Sequence, residues 1–259
     1  MYKGYNVDFN ISSNDLMKWK AKGKELYANS LAEIQPSLKN YISIDGRLDG
    51  ATMQEDWFPQ VNADIFLSHS HRDEDKAMAF AGWLYYCFGL KAFIDSQIWG
   101  YSNDLLKEID KKYCYKPESR TYDYDLRNES TSHVHMMLLV ALTKMMDKTE
   151  CLFFLNTENS ITVSETIQKT KSPWIFSEIA LSQIVRKQDI SRKKTVKLFE
   201  SGGEIQKAFS SIPLDHSVDT SHLLKLSIHD LNEWENLFSN NQKNNTYPKY
   251  PLDLLYSIK

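Results

Sequence analysis

The sequence predicts an α/β protein built on a central parallel sheet with helices on both faces, preceded by an N-terminal helical segment. Two observations predict it. Short apolar runs with the composition of buried strands alternate with helix-length amphipathic patterns, the order that makes βαβ crossovers. The chain, 259 residues long, has room for one large domain or for a domain of usual size with a smaller unit.

Residues 14–43 read as helical, with Ser12 or Ser13 as a cap and Leu16, Trp19, Leu26, Leu31 and Ile34 near helical spacing. Pro36 kinks or splits that stretch. Residues 45–62 hold Gly46, Gly50 and Pro59 and read as a connector, so residues 1–61 form the N-terminal segment and 62–259 the main domain.

Ala63 to Ser68 is the first buried strand of that domain. Asp75 to Phe88 follows as a helix with Ala77, Phe80, Ala81, Leu84 and Phe88 on one face, stopped by Gly89. Leu90 to Asp95 is a second strand and Asn103 to Lys111 a second helix. Residues 112–130, rich in Tyr, Asp, Arg and Ser, read as a polar insertion. Helix resumes over Ser132 to Lys148, and Glu150 to Asn156 is a third strand. Ser172 as cap with Pro173 at the first helical position starts a helix reaching about Lys187. Thr195 to Phe199 and Leu223 to Ile228 are further candidate strands. Asp230 to Phe238 and Leu252 to Ile258 form a C-terminal helical extension.

A net charge of −3 argues against general nucleic-acid binding, which needs a strong basic field. Cys87, Cys114 and Cys151 have no metal-ligand spacing, and free thiols in apolar runs fit a reducing, cytoplasmic compartment. The first ten residues lack the apolar core of a signal peptide, and no apolar stretch is long enough to span a bilayer. No membrane partner is expected.

The candidate chemistry lies where strands end, since ligands of parallel α/β sheets bind beyond the C-terminal strand ends. The first strand runs out into Ser68, His69, Ser70, His71, Arg72 and Asp73; the second into Asp95, Ser96 and Trp99. Residues of these types after a strand also serve as turn formers and caps. On the helix after Ser172, Trp174 and Glu178 are four apart and share a face with Leu181 and Val185. Composition alone makes Glu178 an edge carboxylate with its head in solvent. The functional alternative is a carboxylate held out of water beside an aromatic platform.

Four boxes in order bear on that choice. Asp64-Ile-Phe-Leu-Ser-His69 resembles the first strand of Toll/interleukin-1 receptor (TIR) domains. Gly89-Leu-Lys-Ala-Phe-Ile-Asp95 resembles their second strand, which leads into the BB loop, and Thr149-Glu-Cys-Leu-Phe-Phe-Leu155 their third. Trp174 with Glu178 resembles the W-x-x-x-E element of TIR domains that hydrolyse NAD⁺. The similarity covers residues 64–199 and implies a flavodoxin-like three-layer fold. It also implies Glu178 as the catalytic residue, acting on NAD⁺ as substrate with no further cofactor and no metal. Trp174, Ser68, Ser70, Arg72, Asp95 and Trp99 are the substrate-contact candidates.

The bond to be cleaved would be nicotinamide–ribose, giving ADP-ribose or a cyclic or conjugated product. The resemblance further implies self-association, a downstream effector that senses the product, and a role of the kind bacterial relatives play in anti-phage defence. The 112–130 insertion and the short aromatic segment 96–102 depart from the family pattern. Two rival readings remain. One is a TIR-like module that binds without turnover. The other is a metal-dependent hydrolase using His69, His71 and Asp73, a partial match to H-x-H-x-D-H with Glu at position 74, with His133 and His135 as further imidazoles.

Overall fold

The computed structural model describes residues 1–28, 38–42, 47–94, 96–164, 167–187 and 216–259. Its strands are β1 (Lys3–Val7), β2 (Ile65–Ser68), β3 (Ala92–Ile94), β4 (Tyr115–Lys116), β5 (Thr121–Tyr122), β6 (Cys151–Leu155), β7 (Thr162–Ser164), β8 (Ile167–Thr170), β9 (His216–Ser217) and β10 (Leu224–Leu226). Its helices are α1 (Ser13–Tyr27), α2 (Gly50–Trp57), α3 (Glu74–Phe88), α4 (Ser96–Ile109), α5 (Tyr124–Lys148), α6 (Pro173–Ile184), α7 (Ile228–Asn244) and α8 (Pro251–Ile258). The contacts divide into two units. One comprises Met1–Tyr27, Asn62–Ile94 and Met146–Lys259; the other comprises Ala28–Val61 and Asp95–Met145.

The first unit holds a five-stranded sheet in the order β10-β1-β6-β2-β3, with every pairing parallel. An α/β architecture with a central parallel sheet flanked by helices is therefore present, as the alternating pattern predicts. The portion β3-β2-β6 has the 2-1-3 start of the flavodoxin-like strand order. The next place is taken by β1, a strand that the sequence reading does not contain. Lys3–Val7 offers only Tyr5 and Val7 as inward apolar residues, and flanking polar residues hide so short a strand. Its partners lie far along the chain, Tyr5 in register with Phe153 on one side and Leu224 on the other. Both Tyr5 and Val7 are fully buried.

Alternation sorts the sheet residues by face. Tyr5, Val7, Ile65, Leu67, Cys151, Phe153, Leu155 and Leu226 join one apolar core with α3, α7 and α8. Aromatic rings dominate that core: Trp234 stacks on Phe88 at 3.9 Å between centroids and meets Trp83 edge-on at 5.9 Å. The Trp234 indole N–H is satisfied by Pro251 O at 2.8 Å. Helix α3 stops at Gly89, whose φ of 71° is the left-handed conformation that glycine adopts without a Cβ penalty. Helix α1 crosses α3 at very close range. A Cβ on Gly82 would lie 2.3 Å from Trp19 O, and one on Gly23 would lie 2.0 Å from Met78 O.

Several expected boundaries shift. Residues 96–102, the segment where the resemblance implies the BB loop, form the first turns of α4, and they contain no proline to break a helix. Within 45–62, Asp49 caps α2 by accepting from Ala51 N at 3.0 Å and Thr52 N at 3.2 Å. The insertion is a π-turn (Asp110–Cys114), the β4–β5 hairpin and the start of α5. Asp123 explains that early start, since its Oδ1 accepts from Asp125 N and Leu126 N, both at 3.0 Å. Buried Asp110 holds this segment together, receiving Arg127 Nε at 2.8 Å and Ser130 Oγ at 2.7 Å. Helix α7 is longer than expected, with Ser227 and Asp230 forming a capping box. Pro36 and the candidate strand Thr195–Phe199 lie outside the described residues. Among the described residues no helix is long and apolar enough to cross a membrane.

Candidate functional site

The chain leaves β2 toward β3 on one side and leaves β6 toward β10 on the other. These adjacent strands with diverging exits form the topological switch point of the sheet, the place where open α/β sheets bind ligands. Ser68 ends β2, so the polar run found in the sequence begins at that crevice.

Helix α6 brings Glu178 there. Ser172 caps the helix, its Oγ accepting from Ile175 N at 3.3 Å, and Pro173 takes the first helical position. The buried row of α6 is Ile175, Glu178, Ile179 and Ser182, while Leu181 and Val185 are only half-buried. Glu178 therefore faces inward and does not reach solvent at an edge: 1% of its surface is exposed. Burying a carboxyl group is costly unless a donor meets it. Ser68 Oγ donates to Glu178 Oε2 at 2.6 Å, in the short range of hydrogen bonds to charged oxygens. Ser68, expected to touch substrate, thus spends its proton on the carboxylate. Trp174 stands one turn earlier on α6, half-buried.

The remaining candidates are placed less closely. Ser70, buried, caps the 3₁₀ turn His71–Asp73 by accepting from Arg72 N at 3.4 Å. The Arg72 side chain is exposed. Lys171, just before α6, has its pKa lowered, chiefly by burial and then by the positive charge of Arg72. Asp95 lies outside the described residues, and of Trp99 only the helical backbone is described.

Three further features belong here: Asp73 and His69, which the sequence marks within the polar run after the first strand and as metal-ligand candidates, and a third that it does not mark. Asp73, 6% exposed, accepts from Thr157 Oγ1 at 2.5 Å and Asn159 Nδ2 at 2.9 Å, which ties the exit of β2 to the turn after β6. Its partners lie more than eighty positions away, so no local pattern marks them. His69 is fully buried between Ser68 and Ser70. The third is a link from α6 to the segment before β10. Ser182 Oγ donates to Ile179 O at 2.7 Å and lies 2.6 Å from His222 Nε2, within hydrogen-bond distance. Gln183 Nε2 lies 3.4 Å from Nδ1 and donates to Asp219 O at 3.1 Å. Burial lowers the His222 pKa; Asp219 opposes that shift and Lys187 adds to it. With its proton given to a backbone carbonyl, Ser182 is not an activated nucleophile, and the pair is a structural tether.

The metal-site reading loses its geometry. His69 is sealed inside, His71 is exposed, and Asp73 is engaged by Thr157 and Asn159. His133 is exposed beside Glu129, and His135 is half-buried with its pKa lowered by burial. Among the described residues no three His, Cys, Asp or Glu side chains converge to hold a metal ion. Comparison with protein-family models, with curated proteins and with solved structures finds no match.

Proposed function

We propose that this chain is a TIR-like NAD⁺ nucleosidase in which Glu178 acts on the nicotinamide–ribose bond. The observation that carries the reading is the buried Ser68–Glu178 pair at the switch point of a parallel sheet. The four sequence boxes and the 2-1-3 strand order support it.

Cleavage of that bond develops positive charge on the ribose, and nicotinamide departs neutral. No acid has to protonate the leaving group, so one carboxylate suffices where most glycosidases use two. Glu178 stabilises or briefly traps the ribosyl cation. Ser68 is a positioning residue that fixes the carboxylate. Trp174 packs on the ribose or base, and Arg72 with Lys171 supplies positive charge for the pyrophosphate. Water as acceptor gives ADP-ribose; an internal or external nucleophile gives a cyclic or conjugated signal.

Ser68 and Glu178 are each only 1% exposed, so the carboxylate meets substrate after its cover moves. Self-association that opens the crevice is the corresponding expectation, with a cytoplasmic defence role and a product-sensing effector as its setting. The test is NAD⁺ consumption by purified protein beside Glu178→Gln, with the product identified by mass spectrometry. Turnover lost in the folded variant supports the assignment, and wild-type turnover in it overturns the role of Glu178. Absence of turnover in any assembled state favours a binding module.

A further inference from the structure

Asn6 is a buried amide without a job in the fold. It is 8% exposed, yet its side chain makes no hydrogen bond among the described residues. Buried polar side chains nearly always have a partner, so an unmet one needs a reason. Its amide is also not fully sealed, in contrast to Glu178 Oε1.

Register places Asn6 with the site. Ser68 pairs with Phe154 and Phe154 with Asn6, so the three form one row across β2, β6 and β1. Strands lie about 4.8 Å apart, which puts the backbones of Ser68 and Asn6 about 10 Å from each other. Tyr5 and Val7 point into the apolar core, so Asn6 points to the opposite face, the face on which Ser68 meets Glu178. One step toward the start of β1 on that face is Gly4, where a Cβ would lie 2.6 Å from Leu223 Cδ2. Leucine side chains fill that side, and a partner for the amide has to come from the C-terminal rim.

We infer that Asn6 is a ligand-binding residue of the switch-point crevice, receiving a planar group with an N–H donor beside an acceptor. A primary amide offers one donor and one acceptor side by side, and its complement is a carboxamide or the amino edge of adenine. NAD⁺ carries both groups, so the inference rests on the proposed substrate and adds to it a contact from a strand outside the TIR-like boxes.

The test is equilibrium binding of two separate probes, nicotinamide and ADP-ribose, to the full chain and to Asn6→Leu and Asn6→Ser. The wild type should bind at least one probe, and both variants should weaken that probe by on the order of tenfold, as loss of a buried polar contact does. The affected probe identifies which edge Asn6 receives. Matched melting temperatures exclude misfolding, and Asn6→Ser serves if the leucine variant does not fold. Unchanged affinities in the variants, or no binding of either probe to the wild type, overturn the inference. Asn6-dependent binding without NAD⁺ turnover keeps it and sinks the nucleosidase reading instead; turnover with Asn6-independent binding does the reverse.

Discussion

Ser68 Oγ donates to Glu178 Oε2 at 2.6 Å across 110 positions of sequence, with both residues 1% exposed. This bond gives the inward carboxylate a fixed orientation, and removing its donor separates positioning from chemistry. In Ser68→Ala, stability should fall by about 1–3 kcal/mol, the cost of an unmet buried acceptor. Denaturant midpoints check that. On the proposed function, kcat should fall more than tenfold with KM little changed, whereas Glu178→Gln should abolish turnover. Equal losses in kcat and KM for Ser68→Ala would return Ser68 to substrate contact.

Asp73 joins the exits of β2 and β6 through Thr157 and Asn159. Asp73→Ala leaves both donors without their acceptor in a nearly buried place, and should cost about 1–3 kcal/mol. Thr157→Val should cost less, because Asn159 still reaches the carboxylate. A double-mutant cycle measures their coupling, and strict additivity would show that the network does not act as a unit.

The α1–α3 crossing sets a steric test. Gly82→Ala and Gly23→Ala each push a Cβ against backbone oxygen, and each should destabilise by about 1–3 kcal/mol or more. Gly50, at the start of α2, has open space around its Cβ position. Gly50→Ala should be neutral or stabilising by up to about 1 kcal/mol. Thermal melts of the three variants decide the matter, and similar shifts in all three would contradict the close crossing.

The His222 tether makes stability depend on pH. Burial depresses its folded pKa, so the unfolded chain binds the proton more readily. Its contribution is fully present above the ordinary histidine pKa near 6.5 and is lost as pH falls through the folded value. Asp219 and Lys187 are the charged groups that tune it, and His135 contributes with the same sign. Melting temperatures of wild type and His222→Gln at pH 7.5 and 5.5 test this. The wild type should lose more on acidification, and parallel curves would remove His222 from the account.

Strands β2, β3 and β6 were legible because each is an apolar run bounded by polar residues, and α3 and α6 because their stops and caps are local. Strand β1 was not, since Lys3, Gly4 and Asn6 dilute it and its reason for being a strand is supplied by β6 and β10. The same holds at the site. The spacing of Trp174 and Glu178 marks the helix, but a sequence cannot tell an edge carboxylate from an inward one. That difference is made by Ser68, and Ser182 likewise depends on His222 for its place on the buried face. The start of helix α5 escapes the sequence pattern because Asp123 reads as one more polar residue until its capping role is seen.

Because β1 is sandwiched between β6 and β10, neither half of the sheet can be finished by local contacts alone. Pairings between residues so far apart close long loops before any reward is gained, which slows folding. Until β10 docks, a nascent or truncated chain carries β1 as an open edge, ready to pair with another copy. Loss of the last forty residues should therefore show itself first as aggregation, before any question of catalysis arises.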